Sequence, residues 1–284
     1  MSKPEYSVNE DKTFGFTTPI ITVQAIPAGR YVIDRVLGGY KLTPVPLATV
    51  DSYVPLPNPA SDQTSEIIQD FIQGTFRDSM AEFGMVHKLA CLMWGEPGTS
   101  KSVTIYEATR FAIDHGCIVI DATGDDPDMV SDVLESIRKI EPTRSVIVIW
   151  EEIDSVITLR YETELLQLLD GPSQVNDVLY LMTTNYIKDI PGRLFLRCRR
   201  IPFQVQFHLP SREIREAYFR AKIPADKLET ISLPEWLDKT EGFSIDQCAQ
   251  CVVTVFAFRR TLADVINDLA ERKLVIEDKD DSDD

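Results

Sequence analysis

The run Leu89-Ala-Cys-Leu-Met-Trp94 leads directly into Gly95-Glu-Pro-Gly-Thr-Ser-Lys-Ser102, and this junction decides the fold. A short apolar run bounded by glycine reads as a buried strand. The stretch that follows, Val103 to His115, reads as a helix. A glycine-containing turn between a strand and a helix is the setting that a phosphate-binding loop requires. It aims backbone N–H groups and a helix N-terminus at phosphate oxygens. Gly95 and Gly98 supply the backbone freedom, and Glu96, Pro97, Thr99 and Ser100 complete the cradle. Lys101 is placed to reach the β- and γ-phosphates of a triphosphate, and Ser102 to hold Mg²⁺ through its hydroxyl. Ser100 departs from the pattern, because glycine is usual before the lysine and serine brings a Cβ into the turn.

The same alternation continues downstream. Cys117–Ala122, Ser145–Trp150 and Val178–Met182 read as strands, separated by helical stretches at Asp128–Ile140 and Tyr161–Leu169. Continuous apolar strands alternating with helices predict an α/β fold, a parallel sheet covered by helices on both faces. Val146-Ile-Val-Ile-Trp-Glu-Glu-Ile-Asp154 is a strand that ends in carboxylates. In such a sheet the carboxyl ends of the strands form the ligand crevice. Glu151 is therefore expected to support the Mg²⁺ shell, and Glu152 to orient and polarise an attacking water. Glu151 stands where Asp is commonest. Beyond Pro210 the stretches 211–221, 234–239, 244–256 and 261–273 read as helices, a small C-terminal helical region.

Upstream, residues 1–60 are rich in β-branched and aromatic residues broken by Pro and Gly. Thr17–Ile26, Arg30–Leu37 and Tyr40–Val50 read as short strands, with Gly38-Gly39 as a hairpin turn. Leu56–Ser61 reads as a linker. One helix is expected to follow through Ile67, Phe71, Phe76, Met80 and Phe83, capped by Ser61 or Asp62. The expected organisation is a β-rich extension (1–60), an α/β nucleotide-binding domain (61–209), the helical lid (210–274) and an acidic disordered tail (275–284).

The 284 residues carry 29 Lys+Arg against 45 Asp+Glu, a net charge of −16. That balance disfavours nucleic acid and anionic membranes as partners. No apolar run approaches the ~20 residues that span a bilayer. The N-terminus is polar, without the apolar stretch of a secretory leader, so a cytoplasmic location is expected. The odd count of five cysteines argues for reduced thiols. Cys248 and Cys251 form one CxxC without a second pair or a nearby His, and read as two small residues on one helix face rather than zinc ligands.

Together these motifs resemble the AAA ATPase family, over about Leu56 to Leu269. The family's glycine-rich loop appears as Gly95–Ser102, and its Walker B strand as Val146–Asp154 continuing through Ser155. Its Leu-Leu-x-x-Leu-Asp-Gly signature appears from Leu165 to Gly171. Thr183-Thr184-Asn185, Phe207-His-Leu-Pro210 and Glu241-Gly-Phe-Ser-Ile-Asp246 match its later motifs. The resemblance implies ATP and Mg²⁺ as cofactors and a homo-oligomeric ring, six-membered by family habit. It implies that Asn185 helps to position the lytic water and that Gly242 approaches the adenine. It further implies arginine fingers acting on a neighbouring copy's nucleotide, at Arg197 and Arg200. A finer likeness is to small single-ring members with a β-rich N-terminal extension, such as the mitochondrial Rieske-protein translocase type. Threading members carry an aromatic-Gly pore loop after the second strand; here that stretch is the polar Thr123–Met129. The expected function is an ATPase that remodels or moves a protein partner. Arg197-Cys198 suggests a clamp-loader-like or DNA-linked ATPase as an alternative. Ser100 and Glu151 suggest a nucleotide-gated scaffold with weak hydrolysis as another.

Overall fold

The computed structural model describes residues 7–8, 14–15, 25–47, 54, 56–157, 161–171 and 174–280. They form two compact units. The first lies within residues 1–51, 60–95 and 101–207, the second within 52–59, 96–100 and 208–284.

The first unit is built on one sheet. Its strands are β1 (Ser7–Val8), β2 (Phe14–Gly15), β3 (Gly29–Val36), β4 (Gly39–Val45), β5 (Lys88–Gly95), β6 (Ile118–Asp121), β7 (Val146–Trp150), β8 (Val178–Thr184) and β9 (Phe203–Phe207). Their order is β1-β2-β4-β3-β6-β7-β8-β5-β9. From β3 through β9 every pair is parallel, and β1, β2 and β4 add antiparallel strands at one edge. This is the expected α/β architecture.

Strand periodicity explains the continuous apolar runs. Val146, Val148 and Trp150 of β7 face one core, while Ile147 and Ile149 face another on the opposite side of the sheet. Helices α1 (Pro59–Gln73) and α3 (Lys101–Asp114) cover the second core. Helices α4 (Pro127–Ile140) and α6 (Glu162–Asp170) cover the first. A strand covered on both faces has no polar side to show. Between α1 and α3 lies the short α2 (Arg77–Glu82), and the short α5 (Ile153–Val156) and α7 (Gly192–Phe195) follow β7 and β8.

The structure corrects several expectations. The N-terminal residues are not set apart from the α/β domain at residue 60, because Gly29–Val32 pair in parallel register with Ile118–Asp121. Otherwise β6 would be an edge with unpaired amides, and the added strands cover it. The hairpin turn is centred on Leu37-Gly38, one residue earlier than expected, since Val36 pairs with Gly39. Of the expected strand 17–26, residues 17–24 lie outside the described residues, as do 48–50 of the expected strand 40–50. The single helix expected after residue 60 is two, α1 and α2. Gly74, at φ 72°, ends α1, and the Thr75 N–H donates to the Asp70 carbonyl at 3.0 Å, a Schellman closure. Strand β9 was not foreseen, although Phe203-Gln-Val-Gln-Phe207 alternates with period two, as a strand with one dry face does.

The second unit is helical, with α8 (Arg212–Lys222), α9 (Ala225–Leu228), α10 (Leu233–Lys239), α11 (Ile245–Phe256) and α12 (Leu262–Asp280). Its core holds Phe219, Trp236, Leu237, Cys248 and Cys251. Ser244 begins α11 with a capping box closed by Gln247. Helix α12 continues to Asp280, into the stretch expected as a disordered tail, and 281–284 lie outside the described residues. Among the described residues no helix is long and apolar enough to cross a membrane.

Candidate functional site

The parallel register brings the carboxyl ends of β7, β8 and β5 side by side, with Trp150 opposite Met182 and Thr184 opposite Trp94. Each is followed by an expected site residue: Glu151 and Glu152 after β7, Asn185 after β8, and the loop that opens at Gly95. Gly95 sits at φ 151°, and a Cβ there would stand 2.0 Å from the Phe207 carbonyl oxygen of β9. Only glycine fits that approach.

Lys101 is buried at the start of α3, and its ammonium donates to the Gly95 carbonyl oxygen at 2.6 Å. The next residue, Ser102, donates its hydroxyl to Glu151 Oε2 at 2.5 Å. A hydroxyl and a carboxylate converging on one point are hard oxygen ligands of the kind Mg²⁺ takes. The extra methylene of Glu over Asp does not keep the carboxylate from the hydroxyl, so these residues fit the ion.

Two hydroxyls unassigned by sequence reading hold the acidic pair in place. Glu151 donates its N–H to Thr123 Oγ1 at 3.2 Å, and Glu152 donates its N–H to Thr183 Oγ1 at 3.1 Å. Glu152 is exposed and left-handed, at φ 53° and ψ 51°. That conformation costs a side chain-bearing residue about 1–2 kcal/mol, and such outliers cluster at functional sites. Thr184 donates to Asp154 Oδ1 at 2.6 Å and accepts from the Tyr186 N–H. The sequence signal for these ties was a hydroxyl residue at the end of each strand that flanks β7.

Residues Glu96–Ser100 pack within the second unit. Ile245 donates its N–H to the Gly98 carbonyl at 3.0 Å, and a Cβ on Gly98, at φ 74°, would stand 2.7 Å from Ser244 Oγ. Thr99 is buried and donates to the Glu96 carbonyl at 2.8 Å. Ser100 takes φ 78°, so the serine occupies the left-handed conformation that the usual glycine adopts without cost. Gly242 is exposed in the turn before α11. Cys248 and Cys251 are buried in the helical core, and burial pushes both thiols up to about 12, so they pack as small apolar side chains.

The two expected fingers separate. Both precede β9 and so lie at the amino ends of the strands, the end opposite Gly95. Arg197 is exposed. Arg200 is buried, donating to the Arg193 carbonyl at 2.5 Å and lying 3.4 Å from Asp170 Oδ2. Of the pair, only Arg197 is exposed.

A strand, a glycine turn closing on a buried lysine, and a hydroxyl–carboxylate pair at the end of a second parallel strand meet at one end of the sheet. Residues 91–209 match the AAA family model, the ATPase family associated with various cellular activities. The matched stretch holds the lysine, the acidic pair, Asn185 and both arginines. The chain is similar to the cell division cycle protein 48 homolog of Archaeoglobus fulgidus, at 26% identity over 173 residues, 54% of this chain and 23% of that protein. It is also similar to the 26S proteasome regulatory subunit 6A of Schizosaccharomyces pombe, at 26% identity over 162 residues, 50% of this chain and 36% of that one. The chain thus spans about a quarter and a third of the lengths of these relatives.

Proposed function

We propose that this chain binds ATP with Mg²⁺, hydrolyses it, and works as a ring of copies that remodels or moves a protein partner. The observation that carries the reading is the 2.5 Å contact between Ser102 and Glu151, beside the buried Lys101 and the exposed, left-handed Glu152. The AAA match over these residues and a relative named as a regulatory subunit support it.

In this reading the amides of Glu96–Ser100 and the start of α3 receive the phosphates. Lys101 exchanges its bond to Gly95 for the β- and γ-phosphate oxygens. Ser102 and Glu151 hold Mg²⁺, which neutralises charge on the phosphates. Glu152 aligns the attacking water and draws on its proton, with Asn185 as the second polar group at that end of the sheet. The chemistry is then positioning and charge neutralisation. Gly242 leaves room for the base. Arg197 serves a neighbouring copy, and a finger supplied in this way is worth roughly 10³–10⁵ in rate in related chemistry. The N-terminal strands suit a small single-ring member, the Rieske-translocase type among them. A cytoplasmic location and a protein rather than nucleic-acid partner accord with the net charge of −16.

ATP turnover measured against protein concentration, with Glu152→Gln alongside, tests the reading. Specific activity should rise with concentration and vanish in the variant, while ATP binding persists. Turnover that survives Glu152→Gln unchanged would end the mechanism. Absence of turnover with ATP still bound would favour the second reading, a nucleotide-gated scaffold, to which the left-handed Ser100 points.

A further inference from the structure

A cavity of about 480 Å³ opens at the amino end of β5, with Met80, Met85, Lys88, Leu89, Cys198 and Arg199 in its lining. Lys88 and Gly95 are the first and last residues of β5, so about 20 Å of strand separates this cavity from the phosphate loop. Lys88 is 5% exposed, and its ammonium donates to the Leu169 carbonyl oxygen. Among the described residues it forms no ion pair, and the neighbouring Asp170 is engaged by Arg200. Arg199, exposed on the same cavity, forms none either.

Buried charges are paired as a rule, because removing one from water without a counter-ion is strongly unfavourable. Burial is the main influence lowering the Lys88 ammonium to about 8; Arg199 adds to it and Asp170 opposes. At neutral pH the group is therefore still a cation. A carbonyl oxygen meets only part of its three-donor capacity. Asp170 also lines the cavity, but its carboxylate is paired with Arg200, so with Lys88 and Arg199 the cavity is cationic on balance, and the rest of its walls is mostly apolar.

We propose that this cavity is a second ligand site for a small organic anion with an apolar body, its charge held by Lys88 and Arg199 and its body lying on Met80, Met85 and Leu89. A carboxylate, sulfonate or phosphate group meets the two cations equally well. The apolar walls select against a bare inorganic ion. Volumes of roughly 300–1,000 Å³ are usual for small-molecule sites.

The full chain provides its own reporter, since Cys198 is exposed and the other four cysteines are buried. The probe is 8-anilinonaphthalene-1-sulfonate, titrated by fluorescence into the natural chain, Lys88→Met and Arg199→Gln at two protein concentrations. We expect saturable binding at one site per chain, weakened at least tenfold by Lys88→Met and severalfold by Arg199→Gln. Saturating probe should slow iodoacetamide alkylation of Cys198 at least fivefold. Octanoate should displace the probe where octanol at equal concentration does not. Lys88→Met removes an uncompensated charge and keeps the side-chain length, so its melting temperature should not fall. If that variant does not fold, the exposed Arg199→Gln carries the test. Equal probe affinity in all folded chains overturns the site, as does undiminished alkylation of Cys198. Binding that appears only as copies associate overturns it as well, and assigns the cavity to an interface.

Discussion

The two ends of the central sheet use polar residues in opposite ways. At the carboxyl end, Ser102 and Glu152 are exposed, and strain is held in the backbone at the left-handed Glu152. At the amino end the bonding gathers around a buried carboxylate. Asp177, 2% exposed, accepts from Arg77 Nε and Nη2 and lies 2.8 Å from His87 Nδ1. Arg138 donates to the carbonyls of Asn176, Glu141, Arg144 and Asp177. These bonds fix how the strands begin. Exposed groups on a strained backbone are what functional sites tend to share. Lys88 fits neither description, which is why its cavity stands out.

The sharpest way to break this comparison is at Asp177. Asp177→Ala removes the acceptor of the Arg77 bonds and the partner of buried His87, and leaves alanine at φ 58°. Breaking a buried ionic cluster from one side costs about 3–5 kcal/mol. Urea unfolding should show that loss, while nucleotide affinity in the protein that remains folded stays within a few-fold. A cost under about 1 kcal/mol would mean that the amino end is no lock at all.

A smaller effect is expected at Ser100. Ser100→Gly relieves a left-handed residue and should stabilise the chain by about 1 kcal/mol. In a chain of this size that raises the melting temperature by roughly 2–4 °C. An unchanged or lower melting temperature would mean that the serine hydroxyl compensates for its backbone.

How far the site was legible follows from the kind of signal each part carries. Gly95–Ser102 and Val146–Asp154 could be read because local sequence dictates them: a strand, a turn that needs glycine, and a run of carboxylates. The ties from Thr123 and Thr183 to the acidic pair depend on which strands are neighbours, and strand order is not written in any one segment. The place of β3 beside β6 was hidden for the same reason, since a parallel pairing between residues ~90 apart leaves no local trace. Arg197 and Arg200 looked alike in sequence because burial separates them, and burial is a property of the packed chain. The division of the first helix at Gly74 was legible in principle, but the apolar spacing carried across it and concealed the break.

A pH-dependent effect is expected in the loop after β6, at the same end of the sheet as Glu151. Asp125 is half-buried there, and its carboxyl is raised to about 6, chiefly by burial and then by Asp121, with Arg35 opposing. Asp34 and Asp126 raise it further. A carboxyl whose folded value exceeds its free value holds, between the two, a proton that the unfolded chain has released. The stability from that proton is full below about pH 4 and is lost as pH climbs through 6. Asp125→Asn should therefore melt above the natural chain at pH 7.5, and the gap should close as pH falls to 4. A gap that stays constant across this range would trace the gain to packing and remove charge from the account. A closing gap would show that the carboxyl end carries electrostatic strain beside its backbone strain. Both are then concentrated at the end of the sheet that carries Lys101, Ser102, Glu151 and Glu152.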